Sequence, residues 1–159
     1  MGCLLIVLAG GVGSRAEDSS SRRFETVTVS ADSAWEESDI DAVHFSGNCR
    51  IQGRDWELTA DKAVVHGPLD NPRRIEATGS PARIILTSDA DSKYQRIDGE
   101  AEVLEYWRDP ETIKLSGSAV LRRDSNVLHS GEIEYVRDGN KFKAGGQGGV
   151  RLTLDPKDF

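Results

Sequence analysis

The chain has 159 residues, which is enough for one domain with a single hydrophobic core. Its composition, 37% hydrophobic and 30% charged, is typical of a folded soluble protein and excludes a disordered chain. The formal net charge of -7 argues against nucleic acid as a partner, because nucleic-acid-binding domains usually present a basic surface.

The first residues predict a secretory signal peptide. An apolar run from Cys3 to Val12 precedes Ser14-Arg15-Ala16, which has small residues at the positions that signal peptidases require. The run is too short to span a bilayer, which takes about 20 residues. We therefore expect cleavage after Ala16, with residues 1–16 as the signal peptide and 17–25 as a flexible segment, and export from the cytoplasm. The Lys or Arg that usually precedes the apolar run is missing.

The segment from Val7 to Arg15 offers an alternative, because it resembles the glycine-rich opening of sugar-nucleotide nucleotidyltransferases. In those enzymes the loop cradles the phosphates of a nucleotide. That fold requires a helix after the loop and further βαβ units. Here a polar stretch follows, from Glu17 to Arg23, and then strand after strand. The alternative is disfavoured, and nucleotide binding by the intact chain would revive it.

Beyond Phe24, turn residues recur roughly every ten residues and separate runs rich in Val, Ile, Thr, Tyr and Trp. The Asp138-Gly139 pair predicts a tight hairpin. Short strands with regular turns predict an all-β, antiparallel domain over residues 26–156, with a tail at 157–159. The predicted strands are Thr26–Ser30, Ala42–Gln52, Trp56–Val65, Arg74–Ala77, Ala82–Thr87, Arg96–Trp107, Thr112–Arg122, Asn126–Val136, Lys141–Ala144 and Val150–Leu154.

Alternation of apolar and polar residues indicates which face of each strand is buried. Three sets show it, and one-sided burial is typical of an antiparallel sheet folded over a core. The sets are Phe45, Gly47, Cys49 and Ile51; Ala82, Ile84 and Leu86; and Leu115, Gly117, Ala119 and Leu121. The alternation shifts by one residue near Asp61, near Pro81 and around Val103-Leu104. These shifts predict bulges or corners of a rolled sheet.

An internal repeat has glycine at a fixed place, followed by small residues and then a β-branched or aliphatic one. Its copies lie at residues 45–51, 77–84 and 115–121, with a degenerate copy from Ala144. Each of the first three leads through a turn into a strand with a small-then-acidic pair: Ala60-Asp61, Gly99-Glu100 and Gly131-Glu132. The repeat predicts a stack of hairpins that bury a shared face. The repeated glycine predicts a bend or a close backbone approach.

No residue pattern points to catalysis, a metal or a cofactor. His44, His66 and His129 are isolated, and His44 lies on the polar side of its strand. The acids Asp61, Glu100 and Glu132 repeat with the fold, so we assign them structural roles. Cys49, alone after signal cleavage, is interpreted as a small buried apolar side chain. The acidic segment from Trp35 to Asp41 favours a solvated loop over a docking contact.

Several ordered motifs resemble the LptA/OstA family. The segment from Gly47 to Gly53, continuing through 58–65, resembles its first repeat. The segment 77–82, with Gly99-Glu100-Ala101 and Leu104-Glu105-Tyr106, resembles the second. The segment 115–119, with Asn126 and 131–135, resembles the third. The resemblance covers about Val27 to Pro156, and the order of the motifs makes it specific.

The resemblance implies an OstA-like β-jellyroll, a rolled antiparallel sheet of repeated hairpins that is open at both ends and apolar inside. It implies lipopolysaccharide as cargo, with the lipid A moiety shielded, and a periplasmic bridge between inner- and outer-membrane export components. It implies head-to-tail homo-oligomers through edge strands. Carried over from the family, the cargo-contacting positions are Val27, Ile84 and Tyr106; alternation adds Val29, Phe45, Leu86 and Leu121.

Plain core packing is the alternative for each of these residues. Ile84 also stands where an aromatic is often found in the family, which affects the width of the cavity. Two further alternatives remain for the whole chain. One is another component with the same fold, either an inner-membrane-anchored clasp or the soluble part of an outer-membrane assembly protein. The other is a structural β-repeat module without lipid cargo.

Overall fold

The computed structural model describes residues 27–69, 71–88 and 96–158. These residues form one antiparallel sheet of nine strands and two short 3-10 helices, Ser38–Ile40 and Pro156–Asp158. The strands are β1 (Thr28–Ser30), β2 (Ser33–Glu37), β3 (Ala42–Gln52), β4 (Trp56–His66), β5 (Arg74–Thr87), β6 (Arg96–Arg108), β7 (Glu111–Arg123), β8 (Asn126–Val136) and β9 (Lys141–Thr153).

The strands from β3 to β9 follow one another as a meander, each paired with the next along the chain. At the N-terminal end, two short strands share β3 as their partner. β1 pairs with the last residues of β3, with Val29 opposite Ile51. β2 pairs with the first residues of β3, with Ala34 opposite Phe45. Within the described residues β9 pairs only with β8, so the sheet does not close into a barrel.

A line of bulges crosses the sheet, and we call it the crease. The register shifts at each of the six pairings from β3·β4 to β8·β9. The extra residues lie in the odd-numbered strands, where bulges bend the chain and increase its twist. They are Gly47-Asn48 in β3, 79–81 in β5, Gly117-Ser118 in β7 and 146–149 in β9.

Glycine fits this crease because the backbone there enters the left-handed region. Gly47 has φ +82° and Gly117 has φ +83°, and the next residue of each pair, Asn48 or Ser118, has φ +48°. Glycine adopts these angles without the steric penalty that other residues carry. The glycine of the sequence repeat thus marks the bend, as predicted.

The crease divides the strands into two half-sheets, which fold toward each other. Half-sheet A contains β1 and residues 49–52, 56–60, 82–87, 96–100, 119–123, 126–130 and 150–153. Half-sheet B contains β2 and residues 42–46, 62–66, 74–78, 103–108, 111–116, 132–136 and 141–145. At Gly99 in half-sheet A a Cβ atom would lie 3.1 Å from Leu115 Cδ1 in half-sheet B, so the two halves meet there.

The core lies between the half-sheets and is built from alternate residues of β3 to β8. Leu58, Ile75, Ile84, Leu86 and Leu104 are completely buried. Cys49 is also buried, as predicted, and burial raises the pKa of its thiol. The result is an open, rolled, all-β jellyroll, which confirms the predicted fold class.

Several details differ from the sequence predictions. The runs predicted as separate strands at 74–77 and 82–87 are one strand, β5, and the runs at 141–144 and 150–154 are one strand, β9. The bulges predicted near Asp61, Pro81 and Val103 are present. The preference for a loop in the acidic segment is wrong, because its first residues extend as β2 along the edge of β3. The predicted signal peptide and residues 17–25 lie outside the described residues.

Candidate functional site

The structure brings all seven predicted site residues to the inner face of the roll. Five are buried: Phe45, Ile84, Leu86, Tyr106 and Leu121. The other two, Val27 and Val29, are partly buried and pack against the same core at its N-terminal end. Whether they touch cargo stays a prediction, since the same positions serve the core.

Their environments differ in a way that alternation alone does not reveal. Ile84 and Leu86 have no exposed surface, and Leu121 is 1% exposed. A ligand would reach these three side chains only if the half-sheets moved apart. Tyr106 and Val27, by contrast, line a cavity of about 250 Å³ that opens to solvent.

This cavity lies at the edge opposite the crease, where turns of the two half-sheets meet. We call the contact the lip and define it by Asp55, Trp56, Tyr106, Glu111 and Arg137. The ring of Trp56, in half-sheet A, stacks on Tyr106, in half-sheet B, with centroids 5.7 Å apart. Such stacking adds about 0.5–1.5 kcal/mol beyond the burial of area.

Arg137 ties the lip together electrostatically. Its guanidinium donates to Asp55 Oδ2 at 2.7 Å and to Glu111 Oε1 at 2.8 Å. Burial alone lowers the pKa of Arg137, but the bonds to the two carboxylates more than offset it and the net pKa is raised. Arg137 therefore stays charged and joins the end of β8 to the turn between β3 and β4.

The Tyr106 hydroxyl also belongs to this network. It donates to Glu111 Oε1 at 3.3 Å. Burial, and next the negative charge of Glu111, raise the pKa of Tyr106 well above its ordinary value. The phenol is neutral at physiological pH, so it presents an apolar ring to the interior and a polar tip to the lip.

At the C-terminal end the inner face continues onto β9, where the Arg123 guanidinium lies 4.7 Å from the centre of the Phe142 ring and the apolar side chains remain partly exposed. Phe142 lies opposite buried Tyr135, and Leu152 lies opposite buried Leu128. Phe142 is nevertheless 37% exposed, Leu152 44% and Val150 53%. An exposed apolar stripe beside an unpaired strand edge is typical of an interaction surface.

The charges at the two ends of the roll are opposite. The outer face of β9 and the following residues carry exposed Lys141, Lys143 and Arg151. The N-terminal end carries the acidic segment, with Glu36 and Glu37 exposed on β2. On the outer face, Trp35 stacks on His44 with ring centroids 5.0 Å apart, and Glu37 bonds His44 Nε2 at 2.7 Å.

Among the repeated acids the carboxylate of Glu100 has a structural contact, whereas the structural roles of the Asp61 and Glu132 carboxylates stay predictions. Glu100 pairs with Arg122 at 3.0 Å on the outer face, and the carbonyl of Asp61 accepts from the Cys49 thiol at 3.5 Å in the crease. Sequence reasoning missed Asp98, which is buried and bonded to Arg83 through both side-chain oxygens. It also missed the lip network.

Across the described residues, no group of three or more His, Cys, Asp and Glu side chains is placed to hold a metal ion. Within those same ranges, no helix has the length and apolar character needed to cross a membrane.

A creased antiparallel roll that is apolar inside, and whose sheet does not close within the described residues, defines the class of OstA-like jellyroll proteins. The family model described as "LptA/(LptD N-terminal domain) LPS transport protein" matches residues 28–141. The chain belongs to this family of lipopolysaccharide transport proteins.

A solved structure gives an independent likeness of the fold. The crystal structure of LptH, the LptA-homologous periplasmic component of the lipopolysaccharide transport device of Pseudomonas aeruginosa, superposes with a TM-score of 0.73. The two chains are 17% identical, and the match covers 84% of this chain and 98% of LptH. No curated protein matches this sequence.

Proposed function

We propose that this protein is a periplasmic carrier that binds lipopolysaccharide, holds its acyl chains between the two half-sheets and bridges inner- and outer-membrane export complexes. The observation that carries the proposal is the family match over residues 28–141 on a roll with an apolar interior. Each acyl CH₂ exposed to water costs about 0.8 kcal/mol, so crossing an aqueous space requires such an interior. We expect no catalysis.

The state of the interior suggests how binding proceeds. Since Ile84 and Leu86 are fully buried, acyl chains would replace contacts between the half-sheets rather than fill an empty cavity. Tyr106 and Val27, which already line the cavity at the lip, would meet the lipid first. This order supports Tyr106 as the principal cargo contact among the seven predicted residues.

Site-specific crosslinking tests the proposal. A photoreactive amino acid at Tyr106 should crosslink to lipopolysaccharide, whereas the same group at Val103 should not. Val103 lies in the same strand but is 40% exposed and points away from the core. Equal crosslinking at both positions, or none at Tyr106, would contradict a lipid-carrying interior.

Head-to-tail assembly is the second part of the proposal. The partly exposed apolar stripe of β9 and its unpaired backbone favour the addition of a strand from a second copy. The exposed lysines Lys141 and Lys143 are complementary to Glu36 and Glu37 at the opposite end. Strand addition would extend both the sheet and its apolar inside from copy to copy.

The alternatives keep the fold and change the setting. An inner-membrane-anchored clasp, or the soluble part of an outer-membrane assembly protein, would still bind lipid but would use its open ends for other partners. A β-repeat interaction module would bind no lipid. Mass measured against concentration, with and without lipopolysaccharide, separates these from the bridge: the bridge requires both self-association and lipid binding by one chain.

A further inference from the structure

The cavity at the lip has a cationic neighbour that the ion network does not use. Arg108, the last residue of β6, lines this cavity together with the aromatic rings and with Asp55 and Glu111, whose carboxylates Arg137 binds. Its positive charge acts on the Tyr106 hydroxyl, where it opposes the larger effects of burial and Glu111. Arg108 therefore stands where the aromatic walls of the interior meet solvent.

Arg108 differs from the other arginines around it. Arg137 is bound by Asp55 and Glu111, Arg74 by Glu76 and Glu105, and Arg73 by Asp41. Across the described part of the chain, no carboxylate lies within ion-pairing distance of the Arg108 guanidinium. Its charge is thus available to a ligand.

Arg108 also connects the lip to a second cavity on the outer side. That cavity, of about 460 Å³, is lined by Arg73, Arg74, Trp107 and Arg108, among others. Its only acidic lining residue in the described ranges is Asp109. The Arg74 guanidinium, which Glu76 and Glu105 bind, lies 4.5 Å from the centre of the Trp107 ring, so the wall beside Arg108 is flat.

From this geometry we infer that Arg108 and the cavity at the lip bind the phosphate of an amphiphile's head group while its acyl chains enter the interior beside the stacked rings of Trp56 and Tyr106. The inference rests on the proposed lipid-binding function and adds where the polar end of the cargo lies. A planar guanidinium offers paired donors that match two phosphate oxygens. Aromatic rings directly beside it accept the apolar part of the same molecule.

The position favours a lipid head group over a free phosphate ion. One unpaired, solvent-exposed arginine holds a small anion only weakly, because water screens the charge. A phosphate that is covalently joined to acyl chains is held beside Arg108 by the burial of those chains. The effective concentration of the phosphate is then set by the lipid and not by the solution.

The test compares three probes on the full chain: bisphosphorylated lipid A in detergent, the same lipid with its phosphates removed, and inorganic phosphate. The wild-type protein should bind the phosphorylated lipid on the order of five-fold more tightly than the dephosphorylated one, as expected for one charge-assisted contact at a partly exposed site. Inorganic phosphate in large excess should not displace the lipid.

Variants connect that preference to Arg108. Arg108→Gln should remove the preference for the phosphorylated lipid and leave binding of the dephosphorylated lipid unchanged. Arg108→Lys should restore part of the preference. Arg50→Gln is the matched control, because Arg50 is exposed on the outer face and pairs with Glu57 at 2.7 Å; it should behave as wild type.

Failure of the head-group inference and failure of the proposed lipid-binding function give different results. If the wild-type protein binds both lipids equally, or if Arg108→Gln keeps the wild-type preference, the head-group site is wrong and the lipid-carrier function stands. If inorganic phosphate displaces the lipid, the site recognises free phosphate and the inference is overturned. If the wild-type protein binds neither lipid, the proposed function fails first.

Discussion

Strands β5 and β9 follow almost the same plan and end in opposite environments. Both are long, with 14 and 13 residues, and both cross the crease with a bulge of three or four residues. In β5 the inner residues Ile84 and Leu86 are completely buried, whereas in β9 the inner residues Val150 and Leu152 remain exposed. Among the residues that the structure describes, β5 has a paired neighbour on each side and β9 has one. The neighbours, and not the pattern of the strand, therefore decide whether an apolar face becomes core or stays exposed.

The largest expected difference between the two strands is in stability. Ile84→Ala should lower the free energy of unfolding by about 2–5 kcal/mol, because it leaves a cavity in a packed core. Leu152→Ala should lower it by less than about 1 kcal/mol, since Leu152 is already 44% exposed. Urea unfolding followed by circular dichroism measures both. Equal losses would mean that β9 belongs to the core of the monomer.

Self-association, in contrast to stability, should depend on β9. Lys141→Glu combined with Lys143→Glu places acids opposite the acidic N-terminal end, and it should weaken self-association roughly ten-fold. Added salt should weaken wild-type association in the same direction. Sedimentation at several concentrations gives the association constant.

The control for the assembly experiment carries the same change of charge in the middle of the roll. Lys62 and Lys114 lie on β4 and β7, away from both ends. Lys62→Glu combined with Lys114→Glu should leave association close to wild type. If both double variants associate equally weakly, net charge and not the edge of β9 governs assembly.

A glycine in the β5 bulge and a glycine beside the β9 bulge should differ in their effect on stability by a smaller amount. A Cβ atom at Gly79 in β5 would lie 2.9 Å from the backbone nitrogen of Ala82, so Gly79→Ala should cost about 1–3 kcal/mol. At Gly145 in β9 a Cβ atom would have no neighbour within 4 Å, and Gly145→Ala should change stability by less than about 0.5 kcal/mol. Thermal unfolding of the two variants, run side by side, tests this contrast; a larger loss at Gly145 would contradict it.

The smallest expected effect is on stability at alkaline pH, and it depends on Tyr106 at the lip. Because burial and Glu111 raise the pKa of Tyr106, the folded state keeps the phenol proton at pH values where the unfolded chain releases it. The neutral phenol contributes fully to the stability of the folded state below about pH 10, which is the ordinary pKa of tyrosine. This contribution declines as the pH rises above that value. Tyr106→Phe should therefore make the alkaline decline in stability shallower. An unchanged pH profile would show that Tyr106 is not protected in this way.

Much of the fold could be predicted from sequence because burial on one face produces alternation. Three of the bulges were visible where two apolar residues stand together, as at Val103-Leu104. On the paired strands, Gly47-Asn48 and Gly117-Ser118 show no such shift of the alternation, since small residues fit either face; there the repeated glycine predicted the bend. β2 was missed for a related reason: its side chains are all exposed, and only backbone pairing with β3 makes it a strand.

The site was less predictable. The inner-face residues followed from alternation and from the family motifs, but their depth did not: Ile84 is completely buried, whereas Tyr106 lines a cavity that opens to solvent. The lip escaped notice because Asp55 and Arg137 are 82 positions apart in sequence and belong to no shared motif. Arg108 lies beside a proline-containing turn and had no feature that set it apart from other exposed arginines.

The crease has a consequence for how proteins of this architecture change length. Every hairpin from β3 to β9 carries its own bend at the same height, so curvature is a property of the single unit and not of the whole roll. A duplicated hairpin would inherit the bend and stack on its neighbour without altering the distance between the half-sheets. Gene-level gain or loss of hairpins can thus lengthen or shorten the roll while its cross-section is conserved.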